Sequence, residues 1–207
     1  MARATGMPRP AKLALAVVLL VAAGAVLYHR YAPRRVPEGQ ASLGYLGPAR
    51  LDDLREAFND ASDRKRLLLL LSPTCSVCLR GASAVQDILR SASDPLAVFV
   101  VWEPVIRTDL APPTNGTLSR ISDSRARQYW DNDLSLSSYL VSVARANPSW
   151  VRPGDRERVI DEGVIVWDVA LVFPAGPVWD SSLPQPSFYG GPIVDEVGMI
   201  RAALVDR

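Results

Sequence analysis

The stretch from Leu67 to Arg80 reads Leu-Leu-Leu-Leu-Leu-Ser-Pro-Thr-Cys-Ser-Val-Cys-Leu-Arg, and it decides the fold. The apolar run from Arg66 to Ser72 is typical of a central strand that is covered on both faces. Pro73 ends this strand, and Thr74 is predicted as the N-cap of a helix from Cys75 to Ser91. The sequence therefore predicts a strand-to-helix unit with a Cys-X-X-Cys motif at its junction.

The two cysteines of this motif, Cys75 and Cys78, are the only ones in the chain. Two cysteines placed at random in a chain of this length would fall three apart roughly one time in a hundred. A Cys-X-X-Cys that follows a buried strand and opens a helix has the setting that thiol–disulfide chemistry requires. The motif is therefore the first candidate for a functional site.

The other periodic segments predict an α/β arrangement. They comprise a helix at Leu51–Ala61, a second buried strand at Leu96–Trp102, a third strand at Gly163–Phe173, a short strand at Val178–Trp179 and a terminal helix at Ile193–Val205. Between the second and third strands, residues 103–161 are predicted as a helical insert, with helices near Ser122–Trp130 and Ser135–Ala146. Strands joined by helical crossovers and closed by a hairpin predict a sandwich around a central mixed sheet.

The N-terminal residues 1–30 have a different character from the rest of the chain. An apolar run from Leu13 to Leu27 is flanked by basic residues on both sides. The sequence predicts a membrane contact through residues 11–28, a linker at 31–49 and the globular domain at 50–207. Ala23-Gly24-Ala25 resembles a signal cleavage site, whereas the following Tyr-His-Arg-Tyr favours an uncleaved single-pass anchor.

These features predict a protein of the inner (cytoplasmic) membrane whose C-terminal domain faces the periplasm or the cell exterior. Cleavage after the apolar run would instead give a secreted protein. The charge balance does not fix the orientation, because basic residues are about equal on the two sides of the run.

Composition excludes several classes of function. The single histidine, His29, lies beside the apolar run, so the domain has no Ser-His-Asp triad, no Cys-His pair and no histidine metal ligand. The net charge is +1 and no basic block lies outside the membrane flanks, which argues against nucleic acid as a partner. No cofactor is predicted, and the oligomeric state is left open.

From Leu51 to Val205 the chain resembles the thioredoxin-like superfamily, through the strand, the Cys-X-X-Cys and the helix. Val101-Trp102-Glu103-Pro104 and Trp167-Asp168-Val169 are similar to segments of bacterial membrane-anchored thioredoxin-like proteins. The resemblance implies that Cys75 is the nucleophile and Cys78 the resolving thiol. Physical chemistry agrees, since the first turn of a helix stabilises a thiolate at Cys75.

The chain departs from the family pattern at three points. Thr74 and Ser76-Val77 replace the tryptophan and Gly-Pro of the best-known redox motif, which leaves the direction of electron flow open. Asp168 stands near the position where the family places a cis-proline, so we expect a trans peptide there and a carboxylate that disfavours a thiolate at Cys75. The buried acid of reducing family members has only Asp53 and Asp60 as candidates, and both are expected to be exposed.

The candidate site therefore comprises Cys75 and Cys78, with Pro73, Thr74, Glu103, Trp167 and Asp168 as supporting residues. Glu103 follows a central strand, at the sheet edge where open α/β folds bind ligands.

The leading hypothesis is a membrane-anchored thiol–disulfide oxidoreductase whose partners are the thiols or disulfides of exported proteins. Two alternatives use the same residues. One is a binding or delivery protein for copper(I), with Cys75 and Cys78 as ligands. The other is a non-enzymatic interaction domain in which Cys75 and Cys78 form a structural disulfide, although so short a loop gains little stability from a cross-link.

Overall fold

A computed structural model of the protein describes residues 9–31, 33–47, 51–92, 95–151 and 165–205. The chain divides into two compact units, Met1–Pro33 and Arg34–Arg207. In the first unit, helix α1 spans Arg9–Tyr31. Its segment Pro10–Tyr28 has a mean hydropathy of 2.3, so it is long and apolar enough to cross a membrane or to serve as a signal sequence.

The second unit is built on a six-stranded mixed sheet. Its strands are β1 (Gly44–Leu46), β2 (Lys65–Leu71), β3 (Leu96–Trp102), β4 (Ala126–Asp131), β5 (Val169–Phe173) and β6 (Phe188–Gly190). Their order across the sheet is β1-β4-β3-β2-β5-β6. The first four strands of this order are parallel, whereas β5 and β6 are antiparallel to their neighbours. The carboxyl ends of β2, β3 and β4 therefore meet at one edge of the sheet.

Helices cover both faces of the sheet. They are α2 (Leu51–Asp60), α3 (Ser76–Ser91), the short α4 (Asn115–Leu118), α5 (Ser135–Ala146) and α6 (Val197–Val205), with 3-10 turns at Pro148–Trp150 and Ile193–Asp195. Buried side chains of α3 and α6 pack on one face with Leu69 and Trp102. Those of α2 and α5 pack on the other face with Leu68 and Val101. Two apolar layers therefore enclose the sheet, as predicted for an α/β sandwich.

The insert contains a strand where the sequence pattern predicted a helix. The prediction of a helix near Ser122–Trp130 is wrong, because Ala126–Asp131 forms β4, beside β3. Its polar Gln128 is buried, but its side chain accepts a hydrogen bond from Trp102 Nε1 at 2.9 Å and donates one to the Leu118 carbonyl at 3.0 Å. The sequence pattern misled because the hydrogen-bond partners that allow Gln128 to be buried lie elsewhere in the chain.

The hairpin after β5 also differs from the sequence prediction. Its second strand is Phe188–Gly190 rather than Val178–Trp179. Trp179 instead packs in the apolar layer, stacked on Tyr139 with ring centroids 5.2 Å apart. Strand β5 begins at Val169, and the predicted start of this strand at Gly163 lies outside the described residues.

The segment 31–49, for which the sequence predicted a linker, contains the edge strand β1. Leu43 and Leu46 are buried in the apolar layers on opposite faces of the sheet. A side chain at Gly44 would come within 2.5 Å of the Tyr129 ring, so this position needs a glycine. The packed unit therefore includes residues before the predicted boundary at 50.

Candidate functional site

The Cys-X-X-Cys lies at the start of α3, just after the loop that follows β2. Cys75 has an extended backbone (φ −74°, ψ 118°) and is itself the N-cap residue, so the prediction of Thr74 as N-cap is wrong. Its thiol caps no backbone amide, and its side chain is partly exposed. The unpaired amides of the first turn of α3 favour negative charge at this position. Cys75 is therefore an accessible sulfur at the N-terminus of α3.

Cys78 lies one turn further into α3 and is fully buried. Both cysteines are free thiols, and their side chains are hydrogen-bonded to each other. Burial raises the pKa of the Cys78 thiol well above its ordinary value, and the charge of Asp168 and the bond with Cys75 raise it further, whereas a backbone hydrogen bond from Ser72 acts in the opposite direction. The pair thus combines an accessible sulfur with a shielded one that keeps its proton.

Asp168 is the predicted supporting residue that the fold brings to the cysteines. It is 5% exposed, has a positive φ of 54° and immediately precedes β5. One carboxylate oxygen accepts a hydrogen bond from the Ile193 amide at 3.4 Å. The sequence predicted that the Asp168 charge would act on Cys75. The structure shows it acting on Cys78, whose pKa it raises. Asp168 is therefore a buried carboxylate whose charge acts on Cys78.

The peptide before Asp168 is trans, as predicted, and the described residues have their cis bond at Gly191–Pro192. Strand β6 runs antiparallel to β5, which places Gly191 against the Asp168 backbone. A Cβ at Gly191 would come within 2.2 Å of the Asp168 carbonyl oxygen. Ile193, two residues after Gly191, packs against Gly81 of α3. The segment Gly190-Gly191-Pro192 therefore packs closely between Asp168 and the Cys-X-X-Cys helix.

Asp109 is a site residue that the sequence analysis missed. It is 6% exposed and holds the loop before Cys75 against the loop after β3. One oxygen accepts from the Thr74 amide (3.0 Å) and hydroxyl (2.6 Å). The other accepts from the Ser72 hydroxyl (2.7 Å) and from the amides of Val105 and Ile106 (2.9 Å each). No motif marks Asp109, and its position after a central strand is the signal that could have found it.

Glu103 is buried at the carboxyl end of β3, but the structure does not bring it to the cysteines. Its side chain faces α5, on the opposite side of the sheet from Cys78, and accepts a hydrogen bond from the Ser137 amide at 3.0 Å. Burial first, and then the neighbouring Asp131 carboxylate, raise the pKa of Glu103 to about 9. Glu103 therefore keeps its proton at neutral pH, beside the Asp131 side chain.

The remaining predicted residues lie at several places in the fold. Pro73 is buried, and its carbonyl accepts from the Thr117 hydroxyl at 3.4 Å. Thr74 is exposed and bonded to Asp109 and Thr108. Trp167 is half-buried and packs against the apolar layer that contains Cys78. Asp53 and Asp60 are exposed on α2, as expected.

Within the described part of the chain, no group of three or more His, Cys, Asp or Glu side chains is arranged to hold a metal ion.

This unit has a thioredoxin-like fold. The fold is defined by the parallel strands β1, β3 and β2, the antiparallel β5–β6 hairpin and the Cys-X-X-Cys at the start of α3. The strand β4, inserted between β1 and β3, extends its sheet.

A solved structure described as "Solution Structure of a Thioredoxin-like Protein in the Oxidized Form" is similar to this chain. The identity is 14%, the match covers 69% of this chain and 78% of that one, and the TM-score is 0.39. No protein-family model and no curated protein sequence matches the chain. The site itself contains two adjacent free thiols at the start of α3.

Proposed function

We propose that this protein is a thiol–disulfide oxidoreductase in which Cys75 exchanges disulfides with exported proteins and Cys78 resolves the mixed disulfide. The observation that carries the proposal is the contrast between the two sulfurs. Cys75 is accessible at the start of α3, whereas Cys78 is buried, protonated and hydrogen-bonded to it. A structural disulfide requires no such difference between its two sulfurs.

The exchange conserves atoms and electrons. In the reductive direction the Cys75 thiolate attacks one sulfur of a substrate disulfide, and the other substrate sulfur leaves as a thiolate that takes a proton from water. The Cys78 sulfur then attacks Cys75, and the second substrate sulfur leaves. The substrate disulfide is reduced to two thiols while Cys75 and Cys78 are oxidised to a disulfide. The oxidative direction reverses each step.

The proton of Cys78 needs an acceptor during the second step. Among the described acids, Asp168 is the one whose charge acts on Cys78. Its carboxylate is buried and is anchored by the Ile193 amide. We assign Asp168 the role of accepting the Cys78 proton as the new sulfur–sulfur bond forms.

Insulin reduction driven by dithiothreitol tests the activity. The intact protein is expected to accelerate the reduction, and Cys75→Ala is expected to fall to the uncatalysed rate. Cys78→Ser should accumulate a mixed disulfide through Cys75, because the resolving sulfur is absent. An Asp87→Asn variant serves as a control, since Asp87 is exposed on α3. Equal rates for the intact protein and Cys75→Ala would contradict the proposal.

We further propose that α1 anchors the protein in the inner membrane, with the second unit on the periplasmic or extracellular side. The support is the apolar segment Pro10–Tyr28 and the basic residues that flank it. Alkaline extraction of membranes should leave the protein in the pellet, and protease added to spheroplasts should digest the second unit. Release into the soluble fraction would instead support a cleaved signal.

A further inference from the structure

The surface beside Cys75 is formed by two chain segments that side-chain contacts hold together. The Thr74 hydroxyl contacts the Thr108 hydroxyl at 2.5 Å and donates to Asp109. Further along, Arg120 donates to the Ser83 hydroxyl of α3 at 3.3 Å. Residues 104–120 therefore lie along the N-terminal half of the Cys-X-X-Cys helix. We call the surface formed by Arg80, Ile106, Arg107, Leu110 and Arg120 the Cys75 rim.

Two large apolar side chains of the Cys75 rim are exposed. Leu110 is 74% exposed and Ile106 is 38% exposed. The turn that presents them is closed by the Asp109 amide, which donates to the Ile106 carbonyl at 2.9 Å. Because the Asp109 carboxylate points inward to five donors, its neighbours Thr108 and Leu110 face solvent. A fixed turn thus holds apolar side chains outward next to an accessible thiol.

The charge of the Cys75 rim has one sign. In segments 72–86 and 103–122 every exposed charged residue is an arginine, namely Arg80, Arg107 and Arg120. The two acids of these segments, Glu103 and Asp109, are buried. In the described part of the chain none of the three arginines forms an ion pair with a carboxylate. Their charge is therefore available to a partner.

We propose that the Cys75 rim binds a polypeptide segment that carries acidic and apolar side chains next to its own cysteine. This inference rests on the proposed thiol–disulfide exchange and names the substrate class of the same site. Carboxylates of the partner pair with Arg107 and Arg80, while its apolar side chains cover Leu110 and Ile106. The exposed charges act mainly on the rate of encounter, and they are screened by salt.

The test uses Cys78→Ser, which leaves Cys75 as the reacting thiol. Three peptides each present one cysteine as a disulfide with 2-thiopyridine and differ only in the flanking residues, which are aspartate with leucine, lysine with leucine, or serine alone. The readout is the second-order rate constant for release of 2-thiopyridone. Each value is divided by the rate constant of mercaptoethanol with the same peptide, which removes differences in peptide reactivity.

At about 10 mM salt, where the screening length is about 30 Å, the acidic peptide is expected to react three- to tenfold faster than the lysine peptide. At about 1 M salt, where the screening length is about 3 Å, this ratio should fall towards one. Replacing leucine by serine in the acidic peptide should lower the rate at both salt concentrations, because the apolar contact is lost.

Arg107→Glu, in the Cys78→Ser background, should lower the ratio of the acidic-peptide rate to the lysine-peptide rate, because the net charge of the Cys75 rim falls from +3 to +1. The matched control is Arg201→Glu, which makes the same charge change beside Ser91, at the other end of α3. This control should retain the preference. Equal rates for acidic and lysine peptides at low salt, or a preference that Arg107→Glu leaves unchanged, overturn the inference.

A small neutral disulfide, 2-hydroxyethyl disulfide, separates this inference from the proposed function. If the intact protein reduces it with dithiothreitol while the three peptides react alike, the exchange activity stands and the substrate class is wrong. If neither this disulfide nor any peptide reacts with Cys75, the proposed function itself fails.

Discussion

The buried carboxyl group of Glu103 lies beside the carboxylate of Asp131, on the face of the sheet that α5 covers. The two residues follow Trp102 and Trp130, which are register partners on the adjacent parallel strands β3 and β4. Glu103 and Asp131 are both fully buried, and the Asp131 carboxylate accepts a hydrogen bond from the Leu136 amide at 2.8 Å. The proton that Glu103 keeps lets two acids occupy one apolar layer, and it makes the stability of the fold depend on pH.

Glu103→Gln is expected to remove most of this pH dependence. The folded protein holds the Glu103 proton up to a pKa of about 9, whereas the unfolded chain releases it near the ordinary value of 4.5. The free energy of unfolding should therefore fall as pH rises from about 5 to about 8, by at most about 4 kcal/mol from this group. Urea denaturation across this range should give a flatter profile for Glu103→Gln. The exposed Glu56→Gln is the control, and parallel profiles for intact protein and Glu103→Gln would contradict the assignment.

Asp109→Asn is expected to destabilise the loop that precedes Cys75. An amide cannot accept all five hydrogen bonds, so buried donors around Ser72 and Val105 lose their acceptor, at a cost of about 2–3 kcal/mol. Urea denaturation measures this loss. Asp87→Asn, which removes an exposed carboxylate paired with Arg90, should cost less than about 1 kcal/mol. Equal midpoints for the two variants would show that Asp109 does not hold the loop.

Gly191→Ala is expected to disturb Asp168 through the backbone. The new Cβ would lie 2.2 Å from the Asp168 carbonyl oxygen, so one of the two segments must move, at a cost of about 1–3 kcal/mol. Thermal unfolding measures the loss. Gly198→Ala is the matched control in α6, where a Cβ meets no atom within 4 Å, and it should stabilise the helix by about 0.5–1 kcal/mol. An unchanged melting temperature for Gly191→Ala would contradict the close packing of Gly191 against Asp168.

Alkylation should distinguish the two thiols. Iodoacetamide is expected to modify the partly exposed Cys75 and to leave Cys78 unmodified, because Cys78 is buried and its pKa is raised. Mass spectrometry of the folded protein should find one adduct, and Cys75→Ser should have none until urea unfolds it. Rapid modification of Cys78 in folded Cys75→Ser would contradict the assignment of a shielded resolving thiol.

Local sequence was sufficient for the elements whose side-chain pattern agrees with their tertiary setting. Strand β3 and helix α5 have the predicted bounds, and β2 and α3 differ from prediction by a residue at their ends. The prediction failed for β4, because the partners of Gln128 lie on Trp102 and in the loop at Leu118. The N-cap was displaced from Thr74 because Asp109, 35 residues away, binds its amide and hydroxyl.

The sequence by itself determined the strand, the Cys-X-X-Cys, the helix that follows and the apolar N-terminal segment, since each depends on neighbours in the chain. Tertiary structure decided which acids meet the cysteines. It brought Asp168 to Cys78, turned Glu103 to the opposite face and placed Asp109 beneath the loop. The pairing of distant strands sets these contacts, and the periodicity of a single segment does not encode that pairing.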